Sequence, residues 1–343
     1  MAPKIFITGI TGYIAGDAFV TLYEKHPDYE YTALVRSEEK AKQVSRTYPS
    51  VKIVIGDLDS YDLIKAQAAK NDIILHAADA SDHEGAARAI AAGILEGHSK
   101  ESPGFWLHTG GTGILTYVDS KDDRLGEASD KVHDDLDKVD ELTSLPDDAF
   151  HRNVDKIVLE ATTQHSDIVK ATIVCPPTIY GKGRGPVSGR GRQVYEMAKL
   201  ILTGKYIPII GAGKSRWNNV HIEDLSDVFE LLVEAAVRKD LFDELWGAKG
   251  YMLIENGEHV WSDLARKMGK EAERSGYVES LEERPLDKET ALNQAGFEAV
   301  SWGLNSRGRG LRAKKFLGWQ PKQHSLEDEL PVIVQQEHQR LLA

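Results

Sequence analysis

Short apolar runs alternate with segments of helical spacing through the first half of the chain. Ile5-Phe6-Ile7, Tyr31–Val35, Val51–Ile55, Ile73–His76, Phe105–Thr109 and Ile168–Val174 read as buried strands. Helical patterns near residues 12–25, 37–47, 60–69, 83–98 and 148–165 separate them. Strict β-α-β alternation predicts an α/β fold: a doubly wound parallel sheet with helices on both faces. Ligands in such a sheet bind beyond the carboxyl ends of the strands, where the strand order reverses. After residue 180 the texture changes. Gly181–Pro186 reads as a loop, 191–203 as a helix, Ile207–Ile210 as a strand, and Glu223–Val237 as a helix with acids in its first turn.

The first apolar run leads straight into Thr8-Gly9-Ile10-Thr11-Gly12-Tyr13-Ile14-Ala15-Gly16, which turns into the helical pattern Ala18–Leu22. Glycine at 9 permits a tight turn. Glycine at 12 lets backbone N–H groups close on a pyrophosphate at a helix N-terminus, and a small residue at 15 lets helix and strand approach. Strand, loop and helix in this order predict a Rossmann-type dinucleotide site formed by Thr8, Gly9, Thr11, Gly12, Tyr13 and Ile14. At the end of the second strand an acid would bond the ribose hydroxyls of NAD, whereas a cation suits the extra phosphate of NADP. This chain has Arg36 there, followed by Ser37, with Glu38 and Glu39 one helical step too late, so NADP(H) is expected over NAD(H). Residues 1–180, also receiving about 205–237, are expected to form the dinucleotide-binding domain. Residues 181–204 and 238–343 are expected to form a smaller, interleaved substrate-binding region.

Composition narrows the function classes. The net charge of −12 argues against a nucleic-acid partner. No apolar run approaches the ~18 residues of a membrane span, and a strand begins by residue 4, so no leader and a cytoplasmic location are expected. Cys175 is the single cysteine, which excludes an intrachain disulfide and a cysteine metal site. Much of the acidity lies in Asp119–Asp148, read as a solvated excursion with short helical pieces. It lacks a calcium-loop spacing, and no metal is expected. A homodimer is allowed, and nothing in the sequence requires one.

Further matches follow in order: Gly56-Asp57-Leu58 after the third strand, His76-Ala77-Ala78 after the fourth, Cys175-Pro176-Pro177-Thr178-Ile179-Tyr180-Gly181, Asn219–Leu225 and Leu317-Gly318-Trp319-Gln320-Pro321. With the phosphate loop, they make the chain resemble an extended short-chain dehydrogenase/reductase, the group of nucleotide-sugar epimerases and dihydroflavonol-type reductases. The resemblance implies that Asp57 and Leu58 meet the adenine, that Ala77 and Ala78 line the path to the nicotinamide, and that Pro177, Thr178 and Ile179 flank its amide. It makes His221 a packed loop residue and Trp319 core.

One departure limits this reading. The family's proton donor is a Tyr four residues before a Lys, on the helix preceding the sixth strand, with a Ser or Thr from the fifth strand's end sharing the substrate oxygen. Here Lys156 is in place, but Arg152 stands where the Tyr belongs. The other Tyr-x-x-x-Lys pairs, Tyr48/Lys52, Tyr61/Lys65, Tyr117/Lys121 and Tyr195/Lys199, lack the family's placement. Lys156 is expected to hold the nicotinamide ribose and Thr112 to orient the substrate oxygen, beside Thr109 and two glycines. The proton would come from Tyr117, His151 or water. Arg152 could stabilise an anion or make a structural ion pair, and His151 could instead pair with Asp155 on the helix surface. The expected activity is NADP(H)-dependent reduction of a small carbonyl or related unsaturated substrate. The alternatives are a non-catalytic NADP(H)-binding regulator and a nucleotide-sugar epimerase or dehydratase.

Overall fold

The computed structural model describes residues 2–343. From the N-terminus, β1 (Lys4–Thr8), α1 (Tyr13–Lys25), β2 (Glu30–Val35), α2 (Glu38–Thr47), β3 (Lys52–Ile55), α3 (Tyr61–Ala68), β4 (Ile73–His76), α4 (Glu84–Gly97) and β5 (Gly104–Thr109) alternate strictly. Short α5 (Tyr117–Lys121), β6 (His133–Asp134) and α6 (Val139–Thr143) lead to α7 (Arg152–Gln164) and β7 (Val169–Cys175). Next come β8 (Thr178–Tyr180), α8 (Gln193–Gly204), β9 (Ile207–Ile210), β10 (Arg216–His221), α9 (Ile222–Arg238) and β11 (Tyr251–Leu253). The chain finishes with β12 (Glu258–Val260), α10 (Trp261–Arg274), β13 (Glu283–Leu286), α11 (Lys288–Ser301), β14 (Gly308–Arg309), α12 (Arg312–Phe316) and α13 (Leu326–Leu342).

The main sheet has seven strands in the order β11-β7-β5-β4-β1-β2-β3, every pair parallel. The order reverses between β1 and β4, whose carboxyl ends align at Thr8 and His76. A crevice opens there. Ile5, Phe6, Ile7, Ile74 and Leu75 are fully buried, because helices cover both faces of the sheet. On one face Phe19 and Leu22 of α1 pack with Val228, Phe229 and Leu232 of α9. On the other, Ile90 and Ile94 of α4 meet Trp106 and the Val154 and Val158 face of α7. A third core belongs to the second region, where Tyr195, Met197, Trp261 and Trp302 pack together.

The two regions interleave differently from the expected boundaries. Helix α9 packs with α1 against the main sheet, but β9 pairs with β13 in the second region. Conversely β11, from the expected substrate region, extends the main sheet by lying parallel to β7. Strand periodicity shows that a segment is buried, not which edge receives it.

The acidic excursion is also corrected, because two of its acids are core. Asp135 is fully buried and accepts the backbone N–H groups of Leu253 (2.9 Å), Leu311 (2.8 Å) and Arg312 (3.1 Å). Asp119 Oδ2 accepts both the backbone and side-chain nitrogens of Asn305, each at 2.7 Å. These carboxylates fasten the 305–312 segment. A buried Asp17 on α1 pins the 181–186 loop: it accepts Arg184 N at 2.8 Å and Arg184 Nη2 at 2.6 Å.

Candidate active site

The β1–α1 turn builds one end of the crevice. Gly9 has φ +89°, and a Cβ there would lie 3.0 Å from Ala78 N, so the turn can press against the end of β4 only without a side chain. Gly12 caps α1 without a side-chain hydrogen bond, and no acid occupies the first turn. The N-terminal N–H groups of a thirteen-residue helix are thus left for an anion. Gly9, Thr11, Gly12, Leu34, Arg36, Asp57, Leu58, Ala77 and Ala78 line a cavity of about 550 Å³. Its shape and uncapped helix end fit the adenosine and pyrophosphate of a nicotinamide dinucleotide. Arg36 is exposed, and among the described residues no acid pairs with it.

Sharing Ala77 and Asp79 with that cavity, a second of about 680 Å³ continues over Tyr13, Ile14, Thr109–Gly113, Pro177 and Ile179. His151 is its most informative residue. It stands at the N-cap of α7 with φ 68°, a left-handed backbone that a non-glycine residue adopts rarely and at a cost. Its Nδ1 lies 2.7 Å from Asp82 Oδ1, on the β4–α4 loop. Partial burial pushes the Asp82 carboxyl pKa up, but the hydrogen bond and charge of His151, with Ser81 and Arg192, outweigh it and hold it below the usual value. The imidazole lies over the glycine loop: a Cβ on Gly111 would come within 3.1 Å of Nε2, and one on Gly113 within 3.2 Å. Nε2 itself has no partner among the described residues.

Behind His151 the site is dry. Asp155, one turn further along α7, is fully buried and accepts a 2.8 Å hydrogen bond from Tyr251 Oη. Burial pushes its pKa up to about 6, against the pull of that bond. Thr8 Oγ1 and His76 Nδ1 are 2.7 Å apart below the phosphate loop, and burial drives His76 down to about 3, which keeps it neutral. Thr112 is held from two sides, since its N–H donates to Pro176 O at 3.1 Å and its carbonyl accepts Ser306 Oγ at 2.6 Å. The Thr109 and Thr112 hydroxyls are buried with no protein partner among the described residues.

Several expected residues lie elsewhere. Lys156 does not line the cleft: its ammonium grips Asp147 at 2.9 Å on the outer face of α7. Arg152, the first residue of α7, is buried and lines neither cavity. Tyr117 sits under Lys121, outside the cleft. Ser37 caps α2 by accepting from Lys40 N at 3.4 Å, and Thr178 donates to Gln193 Oε1 at 2.8 Å. Nor do His151 and Asp155 pair on the helix surface, because Asp82 and Tyr251 take them separately. The reason is phase. Helix α7 presents its N-cap, His151, to the cleft, buries Asp155 behind it and turns Lys156 outward. Asp82 escaped the sequence reading because it lies 69 residues from its partner. Its place on a loop at the sheet's carboxyl edge was the available signal.

The NAD dependent epimerase/dehydratase family model matches residues 148–242. An oxidase, ucsJ of Acremonium sp, is 39% identical over 99% of both chains. This chain belongs to the NAD-dependent epimerase/dehydratase family. Solved structures agree on the fold of this extended short-chain dehydrogenase/reductase. The dTDP-glucose 4,6-dehydratase DesIV of Streptomyces venezuelae, with NAD and TYD bound, superposes at TM-score 0.66 with 16% identity, covering 98% of this chain and 97% of its own. UDP-glucose 4-epimerase of Thermotoga maritima, with UDP-glucose, gives 0.63 and 16%, covering 99% of each. Members of the epimerase/dehydratase family bind a nicotinamide dinucleotide, which matches the uncapped α1 terminus. No helix among the described residues is long and apolar enough to cross a membrane.

Proposed function

We propose that this protein is an NADP(H)-dependent oxidoreductase of a carbonyl compound or its alcohol, with the His151–Asp82 pair in the role the family gives to tyrosine. The observation that carries the reading is the 2.7 Å contact between Asp82 and His151 Nδ1, which leaves Nε2 toward the reaction half of the cleft. Bound along the two cavities, the dinucleotide supplies or accepts a hydride at the substrate carbon.

The protein's own part is proton transfer and orientation. With both ring nitrogens protonated, Nδ1–H stays on Asp82 and Nε2–H passes to the substrate oxygen as negative charge develops on it. In the opposite direction a neutral Nε2 takes the hydroxyl proton. The same pair therefore serves oxidation, the direction named for the Acremonium relative. The buried Thr112 hydroxyl donates a second hydrogen bond to that oxygen, and Ser306 and Pro176 hold it there. Arg36 meets the 2′-phosphate.

NADPH consumption against a panel of aldehydes and ketones tests the reading. His151→Ala should lower kcat about a hundred-fold or more, the usual contribution of a positioned general acid, with NADPH affinity within about two-fold of wild type. Asp82→Asn, which keeps the shape but loses the charge, should cost about ten-fold. An undiminished His151→Ala enzyme would assign the proton elsewhere. Tight NADPH binding with no turnover in wild type would favour the non-catalytic alternative.

A further inference from the structure

Charged and aromatic side chains both line the reaction half of the cleft. Five charged side chains line it: Asp79, Asp82, Arg190, Arg192 and Glu298. Neither arginine is free. Arg190 Nε and Nη2 grip Glu337 at 2.7 and 3.0 Å, while its Nη1 lies 2.8 Å from Glu196. Arg192 Nη2 lies 2.5 Å from Glu298. Glu337 is buried and is held by Arg340 Nη2 at 2.9 Å as well, so an anionic ligand would have to draw Arg190 out of a buried ion cluster. In this half a diphosphate would have to compete with a carboxylate for either arginine, and Arg192, 81% exposed, is the easier of the two to draw away.

Rings are what the cavity offers. Tyr13, Phe150, Trp217 and Phe297 line it. Phe150 and Phe297 are 40% and 43% exposed, their centroids 4.9 Å apart at its edge. Phe150 also lies 3.7 Å, centroid to centroid, from the His151 imidazole. Phe297 follows the break in α11 at Ala295 and Gly296. Two exposed phenyl rings gain by being covered with another flat apolar surface, and Phe150 adjoins the proposed proton donor.

We infer that the substrate is a neutral, flat, apolar carbonyl compound, aromatic or conjugated, held by Phe150 and Phe297 with its oxygen at His151, and not a nucleotide sugar. Which end of the substrate reacts rests on the oxidoreductase reading above. The ring contacts do not.

Calorimetric titration of the full chain, with and without NADP, tests this using benzylideneacetone as a neutral aryl enone and UDP-glucose as the nucleotide sugar. The enone should bind at least about ten-fold more tightly. A Phe150→Ala/Phe297→Ala double variant should weaken it about ten-fold. Both side chains are partly exposed, so thermal melting should show the variant folded. Tighter binding of UDP-glucose, or an enone affinity unchanged in the double variant, would overturn the inference. Turnover separates the two readings. Enone binding without NADPH consumption upholds the substrate class and counts against the oxidoreductase. NADPH-dependent turnover of a nucleotide sugar does the reverse.

Discussion

Of the five non-glycine residues with positive φ among the described residues, Asp79 (φ 44°) and His151 (φ 68°) line the reaction cleft. Each conformation costs on the order of 1 kcal/mol, and such residues concentrate where geometry serves function. For His151 the return is an imidazole aimed over the glycine loop and anchored by Asp82. On the proposed function, Arg36 is the residue that sets the choice of cofactor. It is an exposed cation at the β2 end, and the Ser37 hydroxyl beside it is spent on capping α2. Arg36→Asp should reverse or abolish a preference for NADPH over NADH that is at least several-fold in wild type. Equal dissociation constants for the two cofactors in wild type would remove the NADP assignment.

At the scale of elements, one helix and one carboxylate organise the site. Rotating α7 by a single residue would return Lys156 to the cleft, but Val154 and Val158 set its phase by packing into the core under β5 and β7. Asp135 acts on the element opposite. Its carboxylate satisfies three buried N–H groups where β11 meets the start of α12. Asp135→Ala leaves those donors without partners and should lower unfolding free energy by about 3 kcal/mol or more, at a typical 1–3 kcal/mol per orphaned group. Urea unfolding at neutral pH measures it. A loss under about 1 kcal/mol would mean that water reaches the three N–H groups.

Across the whole molecule, burial moves basic and acidic groups in opposite senses. Burial drives His76 and His259 down to about 3 from the ordinary 6.5. The unfolded chain then binds protons that the native state refuses. Their contribution is full above pH 6.5 and is lost as pH falls from there toward 3, at roughly 1.4 kcal/mol per pH unit for each. Asp135 and Asp155, pushed up from 3.8 to about 6, run the other way: the native state holds their protons longer, and stability falls as pH rises through that window. The two pairs oppose each other between about pH 4 and about pH 6. His259 offers a separate test, because it does not itself line the cleft and its Nδ1 accepts the Asn219 amide at 3.1 Å. His259→Gln should reduce the acid loss of stability by about 1.4 kcal/mol per pH unit in that range. Parallel wild-type and variant curves would show His259 protonating freely in the fold.

The order of elements through β5 was legible in the chain, with bounds within one residue, because both faces of the sheet are covered and its strands are therefore continuous apolar runs. The phosphate loop was equally legible: its glycines serve a local backbone geometry that neighbouring residues largely complete. The candidate reaction centre was legible only in part: His151 and Thr112 stood among the expected residues, and Asp82 did not. Spacing along α7 pointed to Arg152 and Lys156, while packing turned His151 and Asp155 inward instead. Asp82 and His151 are 69 residues apart, and Phe150 and Phe297 are brought together from different regions of the chain. Local periodicity determines that a segment is helical or extended and which residues share an edge. The tertiary structure decides which edge faces the ligand and which distant side chain completes it, since those contacts exist only after the sheet has closed its core.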